Sequence, residues 1–134
     1  MRIALDVMGG DHAPDSVVAG AIDASEEGIL HPGQTILVGD RESVRKCVED
    51  HDYEACVVED LLKDLPDEGS KVFPIFHASQ VVGMDDKPSL ALRHKRDSSM
   101  AVATALVKQG IADGVISAGN TGAMVASAMM QLKS

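Results

Sequence analysis

The chain has 134 residues, a net charge of −9, a hydrophobic content of 45% and a charged content of 25%. Such a composition is typical of one folded domain with a real core and argues against disorder of the whole chain. The acidic charge excludes a broad nucleic-acid interface, and an aromatic content of 2% excludes base-stacking platforms.

The first strand and helix follow each other at the start of the chain. Residues 2–7 form a short apolar run, which predicts a strand, and a glycine-containing break follows at 9–14. The spacing of apolar residues predicts a helix over 14–28, with Asp11 as a possible cap and an end near Gly28. This is a strand, glycine turn, helix unit.

The same alternation continues through the middle of the chain. Residues 35–38 predict a second strand, and a helix containing Val44, Cys47 and Val48 starts at 39–40. The spacing of Val57, Val58, Leu61, Leu62 and Leu65 predicts a further helix over 53–65.

The second half of the chain completes the pattern. Residues 72–76 predict a strand, with Pro74 counting against a central position, and 88–93 predict a short helix. A helix preceded by Ser98 and Ser99 should close at Gly110. Val115 and Ile116 suit a buried parallel strand, and an apolar helix is expected over 124–132.

Strands separated by helices predict the α/β class, with a parallel sheet and helices on both faces. Ligands of open α/β sheets bind beyond the carboxyl ends of the strands. The turn over 6–14, His77 and the turn over 117–122 are therefore expected to line one crevice.

Two sequence features favour an anion site. The turn over 119–122 has glycines that permit close approach of a ligand, and Asn120 or Thr121 can cap the following helix, where unpaired N–H groups attract anions. The basic run 93–96 precedes Ser98 and Ser99, so this part of the chain also suits phosphate or carboxylate. Taken alone, the turn also fits an ordinary capped turn, the basic run fits a solvated face, and Ser98 and Ser99 fit simple helix capping. Their convergence favours the anion site.

Several other kinds of site find no support. Neither 8–11 nor 119–122 matches the dinucleotide-binding glycine pattern, and no Walker lysine follows a glycine loop, so no nucleotide cofactor is expected. Cys47 and Cys56 lack metal-ligand spacing and are expected to be reduced structural residues without a metal site. His12 is a candidate general base, and no pattern indicates a covalent enzyme intermediate.

Three motifs in order resemble the PlsX phosphate acyltransferases. They are the segment from Leu5 to Pro14, the segment from Pro88 to Arg93 with Ser98 to Met100, and the segment from Ser117 to Ala123. The resemblance implies transfer of a long acyl chain from acyl-acyl carrier protein to inorganic phosphate, without a cofactor. The acyl phosphate would then supply the membrane-bound glycerol-phosphate acyltransferase that starts phospholipid synthesis.

We combine the resemblance with the residues in one hypothesis about the site. Asn120 and His12 are the candidate catalytic residues. The phosphate and substrate contacts are expected from Asp6, Gly9, Gly10, Asp11, Arg93, Ser98, Ser99, Gly119, Thr121 and Gly122. Phosphate would lie against the second and third motifs, and residues 6–12 would form the opposite wall.

Members of this family are longer, and their fold resembles isocitrate dehydrogenase-like and phosphotransacetylase-like enzymes. The resemblance therefore implies that residues 1–134 are the amino-terminal part of the α/β domain, without the carboxy-terminal half. It also implies a homodimer for the full-length enzyme and leaves open a peripheral place at the inner face of the membrane through that half. The sequence has no secretory signal and no run of apolar residues long enough to span a bilayer, so we expect a cytoplasmic protein.

Two alternatives remain open from the sequence. One is a phosphotransacetylase-like enzyme that uses acyl-coenzyme A thioesters. The other is an inactive truncated fragment that still binds phosphate or carrier protein.

Overall fold

The computed structural model describes residues 1–9, 13–79 and 98–117. Their strands form one parallel sheet in the order β3-β4-β2-β1-β5. The strands are β1 Ile3–Asp6, β2 Thr35–Gly39, β3 Glu54–Val57, β4 Val72–His77 and β5 Gly114–Ser117. The α-helices are α1 Asp15–Glu26, α2 Arg41–Asp50 and α3 Ser99–Lys108, and a short 3₁₀ helix spans Pro32–Gln34.

The helices cover both faces of this sheet, as the α/β prediction requires. The connections from β1 to β2 and from β2 to β3 run in one direction, whereas the connection into β5 runs in the opposite direction. Right-handed crossovers therefore place α1 and α2 on one face and α3 on the other. We call these the α1 face and the α3 face.

Strand β2 lies between the two cores and is buried at all five of its positions. Its side chains alternate, so that Leu37 packs in one core while Ile36 and Val38 pack in the other. The α1-face core contains Val7, Val18, Ile22, Leu37, Val44, Val48, Phe73 and Ile75. The α3-face core contains Ala4, Ile36, Val38, Ala78, Ala103, Leu106 and Ala112.

The helix predicted over 53–65 is wrong, because Glu54–Val57 forms strand β3 beside β4. Tyr53, Ala55 and Val57 pack on one core with the alternating period of a strand. The chain then turns at Asp60, whose side chain accepts the N–H of Leu62 at 2.9 Å. Such a local contact competes with helical hydrogen bonding and leaves Leu62 90% exposed.

Two expectations about strand positions also fail. Strand β4 lies between β3 and β2 even though it contains Pro74. The pairs between β2 and β4 begin at Ile75, so the missing N–H of Pro74 falls before that ladder starts. Strand β5 is an edge of the described sheet rather than a buried strand, and its Ile116 is 53% exposed.

The starts of α2 and α3 and the ends of α1 and α3 agree with the sequence predictions. The expected cap at Asp11 is wrong, because α1 begins at Asp15 and its N-cap is Pro14, which makes no side-chain cap hydrogen bond. Asp40 caps α2 and Ser98 caps α3, each accepting a backbone N–H from the first turn. Gly28 and Gly110 follow α1 and α3 with φ of 75° and 77°, a conformation that glycine adopts without strain. The predicted helices at 88–93 and 124–132 lie outside the described residues. Within the described ranges, no helix combines the length and apolar composition needed to cross a bilayer.

Candidate functional site

A buried carboxylate lies where β1 ends. Asp6 is 2% exposed, and its Oδ1 accepts the N–H of Met8 at 3.0 Å. Its Oδ2 accepts the hydroxyl of Ser117, the last residue of β5, at 2.8 Å. The carboxylate thus fixes the start of the loop after β1 and joins that loop to the end of β5. Asp6 of the first sequence motif is therefore in contact with Ser117, the first residue of the third motif.

The loop after β1 also packs over the end of β2. A Cβ added to Gly39 would lie 2.6 Å from Cγ of Met8 and 2.9 Å from Cγ2 of Val7. Glycine therefore permits this close approach of the loop to the strand. Gly9 follows Met8 and is buried at the same edge of the sheet.

The amino end of α3 reaches the same edge on the α3 face. Helix α3 ends at Lys108, and the N–H groups of Ile111 and Ala112 fold back onto the carbonyl of Leu106. This tight turn leads directly to Asp113, whose N–H donates to the carbonyl of Arg2 at 2.8 Å, so the carboxyl end of α3 lies near the start of β1. Ten helical residues span about 15 Å and four strand residues about 13 Å, so the two elements have nearly equal length. The first turn of α3 therefore lies level with the ends of β1 and β5.

The two serines at this helix start have different surroundings. Ser98 Oγ accepts the N–H of Ala101 at 3.1 Å and so acts as the helix cap. Ser99 is 1% exposed, and its Oγ has no hydrogen-bond partner in the part of the chain that the structure describes. A buried hydroxyl left unpaired costs roughly 1–3 kcal/mol. Beside the unpaired N–H groups of a helix start, this hydroxyl suits an anion.

His77 lies at the same edge of the sheet but makes a separate contact. Its Nδ1 accepts the backbone N–H of Arg41 at 3.1 Å, at the start of α2. Strand β2 lies between the strand of His77 and that of Asp6. The described contacts therefore join His77 to the start of α2 and not to the pair formed by Asp6 and Ser117.

The structure describes four of the predicted site residues, namely Asp6, Gly9, Ser98 and Ser99. The other predicted site residues lie outside the described ranges; they are Gly10, Asp11, His12, Arg93, Gly119, Asn120, Thr121 and Gly122. Ser117 was not among the predicted site residues, although the structure places it against Asp6. Its position as the last residue of a strand, directly before a glycine turn, is the signal that would have identified it.

The cysteines show no sign of a nucleophile or metal ligand. Burial raises the pKa of Cys47 to about 12, together with the hydrogen bond from its thiol to Asp15 and the negative charges of Asp15 and Asp50. Burial also raises the pKa of Cys56, and both cysteines are free. Over the described ranges, no three His, Cys, Asp or Glu side chains are grouped to hold a metal ion.

Comparison with known proteins finds one family and many relatives. The family described as "Fatty acid synthesis protein" matches residues 1–134. A protein of Desulforamulus reducens named phosphate acyltransferase is 43% identical over 132 residues, which are 98% of this chain and 34% of the relative. Proteins of the same name from Methylococcus capsulatus and Dictyoglomus turgidum are 46% and 39% identical over 132 residues, with the same shares covered. The chain thus spans about a third of the length of these relatives.

Proposed function

Since the chain belongs to the fatty acid synthesis protein family, we propose that it binds inorganic phosphate for the transfer of a fatty acyl group from acyl-acyl carrier protein. The product would be an acyl phosphate, to be consumed by a membrane-bound glycerol-phosphate acyltransferase. The names of the relatives support acyl transfer to phosphate. The observation that carries the proposal is the buried hydroxyl of Ser99 at the start of α3, which has no hydrogen-bond partner among the described residues.

The proposed reaction needs an anion held beside an acyl group. A phosphate oxygen attacks the thioester carbonyl carbon, forming a C–O bond and moving the carbonyl π electrons onto oxygen. When the tetrahedral intermediate collapses, the C–S bond breaks and the thiolate takes the proton of the hydrogen phosphate. Acyl phosphate and free thiol result. Fixed N–H and O–H donors accelerate this reaction by holding the phosphate and stabilising the oxyanion.

In this proposal Ser99 donates its hydroxyl to a phosphate oxygen, and the positive end of α3 adds its partial charge. The carboxylate of Asp6 has another task, because a negative charge in direct contact with phosphate would be repulsive. It already accepts two hydrogen bonds, from Met8 and Ser117. Asp6 is therefore a positioning residue, which holds the loop after β1 and the end of β5 in place.

The remaining roles follow from the sequence. Asn120 would donate to the phosphate or the oxyanion, Arg93 would neutralise phosphate charge, and His12 would act in proton transfer. Residues 1–134 would correspond to the amino-terminal part of the family's α/β domain, in a cytoplasmic homodimer with peripheral membrane contact. Carrier proteins are acidic, so their docking would use the basic run at 93–96 or other parts of the longer enzyme.

Ser99→Ala tests the phosphate site. Loss of a hydrogen bond to a charged ligand should weaken inorganic phosphate binding by about 10- to 100-fold, measured by isothermal titration calorimetry. Without phosphate, the same variant should be as stable as the parent or more stable, because it removes an unpaired buried hydroxyl. Unchanged phosphate affinity in a folded Ser99→Ala variant would reject the site.

Ser98→Ala is the matched control for this experiment. Its hydroxyl caps α3, so its loss should lower the free energy of unfolding by about 1 kcal/mol both with and without phosphate. Only the Ser98→Ala substitution should therefore reduce stability in the absence of phosphate. Equal effects of both substitutions would show that Ser99 has only a structural role.

An activity assay separates the candidate functions. The chain is incubated with phosphate and either acyl-acyl carrier protein or acyl-coenzyme A, and acyl phosphate is followed. A preference for coenzyme A would favour the phosphotransacetylase-like alternative. Phosphate or carrier-protein binding without product from a folded sample would favour a binding fragment, a reading consistent with the third of the relatives' length that the chain spans.

A further inference from the structure

An apolar groove lies on the α1 face, between helix α1 and the adjacent strands β1 and β5. It has a volume of about 400 Å³. Leu5 and Ile116 are register partners on the adjacent strands and form its floor with Ile3, while Val17, Gly20 and Ala24 of α1 form its wall. We propose that this groove holds the hydrocarbon chain of the acyl substrate, an inference that rests on the proposed function.

The groove runs parallel to the strands, from their carboxyl ends to their amino ends. Ile116 and Ser16 lie at the end beside the carboxyl ends of the strands, whereas Leu30 and Thr35 lie towards the opposite edge. Ser117, which bonds Asp6, directly follows Ile116. An acyl chain in the groove would therefore have its carbonyl end at the carboxyl ends of β1 and β5, the same end of the sheet as the start of α3, and its methyl end pointing away from it.

The chemistry of the lining matches a hydrocarbon. None of the described residues that line the groove has an ionisable side chain, in a protein with 25% charged residues. Gly20 has no side chain to fill the groove, and an added Cβ at this position would meet nothing within 4 Å. Burial of methylene groups against such a lining is favourable without any polar contact.

Among the described elements, none packs over this part of the α1 face. Helix α1 covers β1 and β2, and Ile116 of β5 is 53% exposed beside it. The right-handed crossover that places α3 on the other face would also place the connection to any further parallel strand beyond β5 on the α3 face. A ligand is thus a better occupant of the groove than such a connection.

Gly20→Leu provides a direct test, because the new side chain would fill the groove from a position with free space. Binding of butyl, octyl and dodecyl phosphate is measured by calorimetry, with inorganic phosphate and the matching alkanols as separate probes. In the parent, affinity should rise by about fourfold for each methylene that enters the groove. In Gly20→Leu this dependence on chain length should disappear, while inorganic phosphate binds as before.

Gly20→Ala is the matched control. Like Gly20→Leu, it replaces a glycine within α1, but its small side chain leaves most of the groove open. If Gly20→Leu keeps the chain-length dependence of Gly20→Ala, the proposal is wrong. A lower Tm of Gly20→Leu than of Gly20→Ala would also overturn it, because another part of the protein would then occupy the groove. Chain-length-dependent binding of alkanols without phosphate binding would retain the groove and reject the proposed function instead.

Discussion

At the scale of single residues, two buried polar groups near the carboxyl ends of the strands differ in how their hydrogen bonds are satisfied. Asp6 has two donors, and removing it would leave Met8 N–H and Ser117 without this acceptor. Ser99 has a buried Oγ without a partner in the described chain. The two hydrogen bonds give Asp6 a role in stability, whereas the hydroxyl of Ser99 is the donor that the proposed phosphate site would use.

The thiol of Cys47 provides a prediction at this scale. Its pKa of about 12, against an ordinary 9.0, lowers the thiolate fraction about 1,000-fold below pH 9, so alkylation by iodoacetamide should be correspondingly slow. The raised pKa also means that its contribution to stability is complete below pH 9 and is lost as pH rises towards 12. Labelling is measured in a Cys56→Ser background.

Asp15→Asn is the comparison for this prediction, because it removes the charge that helps to raise the pKa of Cys47. In the Asp15→Asn variant, Cys47 should be alkylated faster than in the parent at the same pH. A parent thiol that reacts in the folded state as fast as in urea would contradict the burial and the contact with Asp15.

At the scale of elements, α2 begins with a well-formed cap. Asp40 Oδ2 accepts the N–H of Ser43 at 3.0 Å and its hydroxyl at 2.8 Å. These two hydrogen bonds, the one to the backbone first, lower the pKa of Asp40. The cap therefore depends on the ionised form of this carboxyl group.

Asp40→Ala should reduce the free energy of unfolding by about 1 kcal/mol at neutral pH. The pKa of Asp40 is lowered in the folded protein, so its contribution is present above the ordinary value of 3.8 and lost as pH falls through the folded value. Urea unfolding at neutral and acidic pH should show the difference between Asp40→Ala and the parent shrinking in acid. Asp40→Asn should retain most of the cap without this pH dependence, and a constant difference would contradict the explanation.

At the scale of the whole molecule, burial is distributed unevenly across the sheet. Strand β2 is central and buried at every position, whereas β5 has an exposed side chain on the α1 face and no neighbour on its outer side among the described strands. Local openings that expose little apolar surface need less free energy than global unfolding. The end of β5 depends on the hydrogen bond between Ser117 and Asp6.

Native-state hydrogen exchange should therefore show lower protection for the amides of β5 than for those of β2. Ser117→Ala should lower the protection of β5 further, because it removes the hydrogen bond to Asp6, while the protection of β2 should change little. Equal protection of the two strands in the parent would show that β5 opens only with the whole domain.

Much of the fold was predictable because its signals are local. The apolar spacing of α1 and α3, the cap at Asp40 and the glycines after two helices depend on residues that are close in sequence. The same holds for Ser98 and Ser99 as a helix start. The family resemblance is confirmed as well, since its three motifs are short runs of adjacent residues.

The errors arose where a distant segment decides the conformation. Residues 54–57 have apolar neighbours that also fit a helix, and pairing with β4 makes them a strand. Ile116 has the composition of a buried strand, yet its position in the sheet order leaves it exposed beside the groove. Burial depends on which elements pack together, and sequence spacing does not contain that information.

The sequence by itself thus determined the parallel α/β architecture, the starts of α2 and α3 and the family, because periodicity, capping and motifs are carried by neighbouring residues. Only the tertiary structure decided that Ser117 bonds Asp6 across 111 positions. It also decided that Ser99, rather than Ser98, has a buried hydroxyl without a hydrogen-bond partner in the described ranges. Both facts depend on how α3 and β5 pack against β1. The hydrogen-bond partners and the burial of a side chain are set by that packing, which joins parts of the chain that are far apart in sequence.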